Sequence, residues 1–306
     1  MYQALYRKWR PKVFSDVIGQ EHITETLKKQ VAEGRTSHAY LFTGTRGTGK
    51  TTCAKILAKA VNCEHPVNGD PCCQCPSCLG LESGSFLDVL ELDAASNNGV
   101  DQVRALRDEA IYAPANVKKR VYIVDEVHML STAAFNALLK ILEEPPAHLM
   151  FILATTELHK VPATILSRCQ RYSFKRILPK DIAQRLSYVA GQEHIDLTAD
   201  GAELLSRLAD GALRDGLSLL DQCAAAGGTV DSRAVLEVLG LAGNLQTAQL
   251  MRHILDRNAQ AALLLLNELY AGGKDVGAVL VELSTLTRDL LLRKTAPEGG
   301  AALLSG

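Results

Sequence analysis

The sequence predicts an α/β fold with a five-stranded parallel sheet in the first part of the chain and only helices after Pro179. Short apolar segments alternate there with segments of helical periodicity, and parallel strands need such crossover connections. The predicted strands are 39–43, 86–92, 121–124, 149–154 and 171–174. In sheets of this kind ligands bind at the carboxyl ends of the strands, so polar motifs at those ends are candidate sites.

The composition limits the possible functions. The chain has 306 residues, a net charge of −1 and only 5% aromatic residues. Neither a globally basic nucleic-acid surface nor a base-stacking platform fits these values. Without an apolar run of membrane-spanning length or a signal peptide, we expect a soluble, cytoplasmic protein that does not enter a membrane.

The first predicted strand continues into a glycine-rich loop and then a helix. Residues 44–51 spell G-x-x-x-x-G-K-T, which is the phosphate-binding pattern in its strand–loop–helix context. Lys50 is expected to reach the β- and γ-phosphates, and the Thr51 hydroxyl to hold Mg²⁺. The predicted nucleotide-binding residues of this loop are Gly44, Thr45, Arg46, Gly47, Thr48, Gly49, Lys50, Thr51 and Thr52. The pattern indicates a nucleotide-binding protein.

An acidic pair follows the third predicted strand. Asp125 and Glu126 come directly after the apolar residues 121–124. Downstream of a phosphate loop, such a pair is the second half of a nucleoside triphosphatase site. Asp125 is expected to support Mg²⁺, and Glu126 to orient or deprotonate the attacking water.

Four of the eight cysteines have metal-ligand spacing. Cys63, Cys72, Cys75 and Cys78 suit a tetrahedral Zn²⁺ site, although Cys73 is an alternative to Cys72. Four sulfur ligands leave no open position for a reacting water, so the site is expected to be structural. The predicted helix between the phosphate loop and Cys63 is about 20 Å long, which separates the two sites.

The other segments complete the predicted organisation. A basic stretch around Trp9 is expected to pack on the core rather than to bind nucleic acid, and Ser131 is expected to cap a helix. Helices are also predicted after Pro179, and the low-complexity tail from Thr295 is predicted to be a linker. The predicted domains are 1–178 with an insertion at 63–78, then 179–240, and finally 241–306.

Several motifs resemble those of one family, the gamma/tau subunits of bacterial DNA polymerase III, which are AAA+ ATPases of the sliding-clamp loader. The matching motifs lie within roughly the first 220 residues, and the helical region after 240 fits by position only. They are YRKWRP at 6–11, VIGQEH at 17–22, GTRGTGKT at 44–51, the four-cysteine insertion, DEVHMLS at 125–131, FNALLKILEEPP at 135–146, ATT at 154–156, SRC at 167–169 and GALRD at 211–215.

The resemblance implies roles that spacing alone does not supply. Thr155 is implied as a γ-phosphate sensor on the strand between the loop and the acidic pair, Arg168 as an arginine finger for a neighbouring subunit, and Arg214 as a second sensor. From the residues alone, Arg171 competes with Arg168 for the finger role. The residues implied around the adenine are Arg10, Pro11, Val17 and Ile18.

The resemblance also implies the architecture and partners of a clamp loader. The fold is expected to be an AAA+ P-loop domain, a helical lid and a truncated all-α oligomerisation domain. ATP, Mg²⁺ and structural Zn²⁺ are the implied cofactors. The implied partners are other copies of the chain, delta and delta prime companions, the sliding clamp, primer–template DNA, and the polymerase core and helicase through further C-terminal domains. We expect ATP hydrolysis within a polymerase holoenzyme, without a polymerase active site in this chain.

Two other functions are compatible with parts of the pattern. A non-catalytic ATP-binding scaffold would not need Lys50, Thr51, Asp125 and Glu126 together. A Holliday-junction-type AAA+ helicase motor would not be expected to carry the four-cysteine insertion and the SRC motif. The clamp-loader ATPase is therefore favoured.

Overall fold

The computed structural model describes residues 3–240 and 244–295. The chain divides into two compact units. The first contains the chain up to Ile182 together with Asp210–Asp215, and the second contains Ala183–Ala209 and the chain from Gly216 onward. The predicted domain boundaries near 178 and 240 stay predictions. The predicted linker begins at Thr295, which the structure places at the end of the helix Val276–Thr295, and residues 296–306 lie outside the described residues.

The first unit is built on a parallel sheet of five strands in the order β2-β3-β4-β1-β5. The central strands are buried along nearly their whole length, as their continuous apolar sequences predict. The edge strands β2 and β5 are mostly half-buried or exposed. The strands are β1 (Ala39–Thr43), β2 (Val89–Asp93), β3 (Arg120–Asp125), β4 (Leu149–Thr155) and β5 (Gln170–Ser173).

Helices and short 3-10 turns connect these strands. The α-helices of this part are α1 (Leu5–Lys8), α2 (Glu21–Ala32), α3 (Lys50–Asn62), α4 (Pro76–Ser83), α5 (Val100–Ala110), α6 (Thr132–Glu143) and α7 (Ala163–Leu166). The 3-10 turns are Phe14–Asp16, Val127–Met129 and Leu158–Lys160. The Ser131 hydroxyl accepts a hydrogen bond from Ala134 N at 3.2 Å, which is the cap predicted for α6.

The two faces of the sheet carry separate apolar cores. Because successive side chains of a strand point to opposite faces, Tyr40 and Phe42 pack with α2 and α3, whereas Leu41 packs in the core that includes α5 and α6. Both faces are thus covered by helices. This layering places the carboxyl ends of β1, β3 and β4 at one edge of the sheet, next to the start of α3.

The structure differs from the prediction at the second strand, which begins at Val89 rather than at Phe86. The Phe86 ring packs against Gly80 of α4, where an added Cβ would lie 2.6 Å from the ring. Sequence periodicity missed α4 because that helix is short and contains Cys78, one of the spaced cysteines. Pro76 at its first position and the Cys75 cap define its start.

The remaining described helices follow Leu178. They are α8 (Pro179–Gln192), α9 (Ala199–Leu208), α10 (Leu213–Ala225), α11 (Ser232–Val238), α12 (Asn244–Leu255), α13 (Ala259–Ala271) and α14 (Val276–Thr295). Within the second unit, α9 packs with α11, and α12–α14 share a core of Leu250, Leu269 and Val279. Leu280 and Leu290, two apolar residues of α14, are exposed.

Among the described residues, no helix combines the length and the apolar character required to cross a bilayer.

Candidate nucleotide and metal sites

The phosphate loop connects β1 to α3 and depends on glycine at defined points. Gly44 has a φ of +143°, and a Cβ at this position would lie 2.5 Å from the Phe174 carbonyl oxygen. Gly49, which precedes α3, has a φ of +102°. Glycine is the residue that adopts both conformations without steric cost. The loop therefore ends at the amino terminus of a 13-residue helix, a position whose free N–H groups and dipole favour an anion.

The Lys50 side chain lies inside this loop. Its ammonium donates hydrogen bonds to the carbonyl oxygens of Gly44 and Thr45, both at 2.8 Å, and the residue is only 5% exposed. Burial lowers the pKa of Lys50, whereas the nearby carboxylates of Glu126 and Asp125 act to raise it. A cation is thus held where phosphate oxygens are expected, with two acidic groups facing it.

The other side chains of the loop differ in exposure. Thr45 and Arg46 are exposed. The Thr48 hydroxyl is buried and donates to the Thr45 carbonyl oxygen at 2.8 Å, which closes the loop on itself. At Gly47 an added Cβ would lie 2.6 Å from the Ala212 side chain, so the loop backbone passes directly beside that residue.

Thr51 and Asp125 meet although 74 positions separate them. The Thr51 hydroxyl, in the first turn of α3, donates to Asp125 Oδ2 at 2.6 Å. Asp125 is the last residue of β3, and its Oδ1 accepts from Glu126 N at 2.9 Å. A hydroxyl and a carboxylate oxygen are ligands that suit Mg²⁺, so the residues present fit this ion.

Glu126 has a left-handed backbone, and its carboxylate accepts hydrogen bonds through one oxygen. Its φ is +47°, which is uncommon for a residue with a side chain. One carboxylate oxygen, Oε2, accepts from Thr156 N at 3.1 Å and from the Thr156 hydroxyl at 2.9 Å. Thr156 therefore holds the Glu126 carboxylate, the group that is proposed to activate water.

Thr155 is the buried end of β4, which lies between β1 and β3. Its hydroxyl accepts from Glu157 N at 3.0 Å and is 2.9 Å from His128 Nδ1. The same His128 nitrogen lies 3.4 Å from Glu126 Oε2. His128 thus connects the proposed sensor with the proposed base. Sequence reasoning did not single it out, although it belongs to the DEVHMLS motif.

The two candidate arginine fingers lie near the start of β5. The Arg168 guanidinium binds Glu143 Oε1 at 2.7 Å and the Thr164 carbonyl oxygen at 2.8 Å. Arg171 is exposed on the edge strand β5. The hydrogen bonds of Arg168 are to Thr164, Ser167 and Glu143, and none is to Lys50 or Thr51.

Arg214 contacts the amino-terminal segment of the chain, and Arg10 belongs to that segment. The Arg214 guanidinium carbon is 5.0 Å from the centre of the Tyr6 ring, which is a cation–π distance. Arg10 Nε donates to the Thr52 hydroxyl at 3.1 Å. Burial lowers the pKa of Arg10, and Arg214 contributes in the same direction. The structure thus places Arg10 at the first turn of α3, next to the phosphate loop.

The apolar residues implied around the base lie beside the loop. Val17 is buried, and its Cγ1 is 4.0 Å from the position of a Cβ built on Gly49. Pro11 and Ile18 are half-buried. These side chains can pack against a flat apolar surface, which suits a nucleotide base better than a phosphate.

The four spaced cysteines converge on one point. The sulfur atoms of Cys63, Cys72, Cys75 and Cys78 all lie within 4.8 Å of one another. Four ligands at the usual Zn–S distance of about 2.3 Å would be about 3.8 Å apart, so this cluster fits a zinc ion with a small contraction. Backbone N–H groups of Cys72 and Cys75 donate to neighbouring sulfurs at 3.3 Å.

The environment of the thiols differs around the cluster. Backbone N–H groups of Gln74 and Cys75 lower the pKa of Cys72 to about 6, whereas burial raises the pKa of Cys78. Cys73, the alternative ligand, has a φ of +57°, and its thiol points to the Lys12 carbonyl oxygen at 3.8 Å. The geometry therefore favours Cys72 over Cys73.

The structure thus brings together Lys50, Thr51, Asp125, Glu126 and Thr155, and it gathers the four cysteines separately. The individual roles of these residues, and those of the arginines and base-side residues, stay predictions.

Solved structures share this fold. The Holliday junction branch migration motor RuvB of Thermotoga maritima superposes with a TM-score of 0.58 over 90% of this chain and 91% of that chain, at 17% identity. A point variant of the same motor protein covers 84% of this chain and 85% of its own at 19% identity, again with a TM-score of 0.58. At these identities the likeness shows the fold alone. Together with the phosphate loop and the acidic pair, it defines the class of fold: a P-loop nucleotide-binding domain of the AAA+ type.

Family models cover most of the chain. The model described as DNA polymerase III, delta subunit, matches residues 19–177. The clamp loader subunit ATPase lid domain of DNA polymerase III matches 181–229, and domain III of its gamma and tau subunits matches 230–305.

Curated relatives identify the particular family. The chain is 51% identical over 297 residues to DNA polymerase III subunit tau of Bacillus subtilis and 45% identical to that of Escherichia coli, with 97% of the chain covered in both cases. It spans only 53% and 46% of those proteins. DNA polymerase III subunit gamma of Buchnera aphidicola from Baizongia pistaciae is 38% identical, and 80% of its length is covered. The chain belongs to the gamma/tau family of DNA polymerase III subunits.

Proposed function

We propose that this chain is the ATPase part of a subunit that loads a ring-shaped sliding clamp onto primer–template DNA. One observation carries the hydrolytic part of this proposal: the contact between Thr51 and Asp125, with Lys50 in the loop beside them. A scaffold that only binds nucleotide has no need for a metal-supporting pair and an adjacent Glu126.

The side chains have separable roles in this proposal. Lys50 and the N-terminus of α3 bind the phosphates, and Thr51 and Asp125 hold Mg²⁺, which neutralises charge on the β- and γ-phosphates when bound. Glu126 positions or deprotonates the attacking water after leaving Thr156. Thr155 senses the γ-phosphate, and its hydroxyl reaches Glu126 through His128.

The proposed assembly gives Arg168 and Arg214 different roles. Arg168 would act on ATP bound by a neighbouring subunit, and Arg214 would couple α10 to the nucleotide. The neighbours are further copies and the delta and delta prime companions. The remaining proposed partners are the clamp and DNA, together with the polymerase core and the helicase. Only the polymerase core and the helicase would bind through regions outside this chain.

The four cysteines have a structural role in the proposal. Their sulfur atoms are close enough to share one zinc ion, and no cysteine beyond these four is needed to complete a tetrahedral set. Metal binding would then supply folding free energy to residues 63–78.

Steady-state ATP turnover tests the proposal. The full-length protein would be assayed alone, then in complex with its companions, and finally with clamp and primed DNA. An arginine finger typically contributes about 10³–10⁵ in rate, so turnover should be slow alone and strongly stimulated in the complete mixture. Absence of stimulation would refute clamp loading, and DNA unwinding would support a helicase motor instead.

Two arginine variants locate the finger in the same assay. Arg168→Ala should retain ATP binding and lose the stimulated rate. Arg171→Ala is the matched control, because Arg171 lies three positions further along the chain and is exposed. If only Arg171→Ala loses stimulation, the finger is Arg171.

A further inference from the structure

A tight turn in the cysteine module, defined here as residues 63–83 from Cys63 to the end of α4, packs directly on α2. Val67 and Asp70 exchange two backbone hydrogen bonds of 2.9 Å around Asn68 and Gly69, which both have positive φ. Asn-Gly favours this kind of turn. A Cβ at Gly69 would lie 2.1 Å from the Lys28 carbonyl oxygen, so only glycine permits this approach. The turn sets the position of Asp70.

The Asp70 carboxylate binds the amino-terminal part of the chain. Its Oδ1 accepts from Phe14 N at 2.6 Å, and its Oδ2 accepts from the Ser15 hydroxyl at 2.6 Å. Lys28 Nζ lies 3.6 Å from Oδ2, and the Asp70 side chain is only 14% exposed. Asp70 therefore holds the start of the 3-10 turn Phe14–Asp16 through charge-assisted hydrogen bonds, which are stronger than neutral ones.

Two more contacts join the module to the same region. Lys12 Nζ lies 2.6 Å from Glu82, a residue of α4 that also binds Lys59 at 3.2 Å. The Cys73 thiol contacts the Lys12 carbonyl oxygen. Residues 12, 14 and 15 thus all have partners in the cysteine module.

The opposite side of this amino-terminal segment faces the phosphate loop. Arg10 donates to Thr52 of α3, and Val17 lies against Gly49. Residues 10–18 are therefore held between the cysteine module and the nucleotide site. Since Val17 and the half-buried Ile18 are apolar, this segment suits the base of a nucleotide rather than its phosphates.

We propose that the cysteine module is a metal-dependent support for the base side of the nucleotide site and that Asp70 is its positioning residue. This inference rests on the proposed nucleotide and metal sites. Asp70 lies two positions before Cys72, in the loop that a metal ion would close between Cys63 and Cys72. Closing that loop removes conformational entropy from residues 64–71, so metal binding fixes Asp70 and, through it, residues 10–18.

The proposal is tested by comparing two ligands of the full-length protein. ATP uses the base side and the phosphate loop, whereas inorganic tripolyphosphate uses the phosphate loop alone. If Asp70→Ala reduces the ordered fraction of residues 10–18 to about one tenth, the Kd for ATP rises about tenfold. The Kd for tripolyphosphate should stay within about twofold, because the loop is a separate site.

Three controls accompany this measurement. Asp70→Asn keeps an acceptor and should restore part of the ATP affinity. Glu25→Ala removes another carboxylate near Lys28, at 3.4 Å, without touching residues 10–18, and should bind both ligands normally. Trp9, the only tryptophan of the chain, directly precedes the segment, so its quenching by acrylamide should increase in Asp70→Ala but not in Glu25→Ala.

Metal removal provides the second arm. Stripping zinc from the wild-type protein should weaken ATP binding and increase Trp9 quenching as Asp70→Ala does, and it should add little to the Asp70→Ala effect because both act through the same contact. Asp70→Ala should itself retain one equivalent of zinc.

The outcomes separate this inference from the function on which it rests. Unchanged ATP affinity in Asp70→Ala, or an equal loss for ATP and tripolyphosphate, would overturn the inference while leaving the nucleotide site intact. ATP affinity that is independent of zinc would also overturn it. Failure of the wild-type protein to bind either ligand would instead refute the proposed function.

Discussion

Replacing Thr51 by valine tests the proposed metal site with little change of shape. Valine replaces the hydroxyl by a methyl group and removes the 2.6 Å hydrogen bond to Asp125. A hydrogen bond to a charged group contributes about 1.5–3 kcal/mol. Because both residues are half-buried and Asp125 keeps its bond from Glu126 N, we expect a cost to folding near the lower end of that range.

The larger effect should be on nucleotide binding in the presence of Mg²⁺. Altering the groups around a bound metal typically reduces its affinity by about tenfold to a hundredfold, or about 1.4–2.7 kcal/mol. Without Mg²⁺, ATP binds through Lys50 and the loop, which the substitution leaves in place. Thr51→Val should therefore weaken ATP binding about tenfold or more with Mg²⁺ and by less than about twofold in EDTA.

Titration calorimetry with and without Mg²⁺ measures this difference directly. Thr52→Val is the matched control, since the Thr52 hydroxyl contacts Arg10 rather than Asp125. Any change of ATP affinity in that variant should be the same in Mg²⁺ and in EDTA. An equal loss in both conditions for Thr51→Val would show that Thr51 supports the loop and not the metal, and the proposed metal site would be wrong.

Three further substitutions or conditions test the remaining groups. Glu126→Gln cannot accept a proton, so ATP binding should persist while turnover falls by about 10²–10⁴, measured by phosphate release; normal turnover would assign the base elsewhere. Cys75→Ser should lose its zinc equivalent in metal analysis while Cys73→Ser keeps it, and the opposite result would exchange the ligands. In metal-free protein, alkylation of Cys72 by iodoacetamide should increase with pH around a midpoint near 6, because the thiolate reacts and backbone N–H groups of Gln74 and Cys75 lower its pKa to about 6. Burial raises the pKa of Cys73, which should react only at higher pH, and a shared midpoint would contradict this assignment.

The elements of the sheet were predictable because hydrophobic patterning is local. The first predicted strand has the bounds of β1, and the predicted third and fourth strands lie within β3 and β4. The start of β2 was not predictable, because Phe86 is apolar for another reason, its contact with Gly80. Periodicity records that a side chain is buried and does not record which partner buries it.

In the candidate site, too, some residues could be predicted from the sequence and others could not. Lys50, Thr51, Asp125 and Glu126 belong to motifs whose chemistry requires those residue types at those spacings. Thr156, His128 and Asp70 act through contacts between segments that are far apart in the chain. Glu126 and Thr156 are separated by 30 positions, and Phe14 and Asp70 by 56. No spacing rule connects such pairs. The histidine in the DEVHMLS motif was the one local signal available.

The partners of these groups bear on how fast the subunit should work by itself. Lys50 binds loop carbonyls, Thr51 binds Asp125, and Glu126 binds Thr156. A triphosphate and a metal ion replace the first two contacts with stronger charged ones, so nucleotide binding rearranges them directly. Glu126 must exchange its two hydrogen bonds from Thr156 for contact with a neutral water molecule, which binds a carboxylate less strongly than a metal ion does. Releasing Glu126 from Thr156 is therefore the costliest of these three rearrangements. Nucleotide binding should therefore be easy, and hydrolysis should stay slow until Glu126 is released from Thr156.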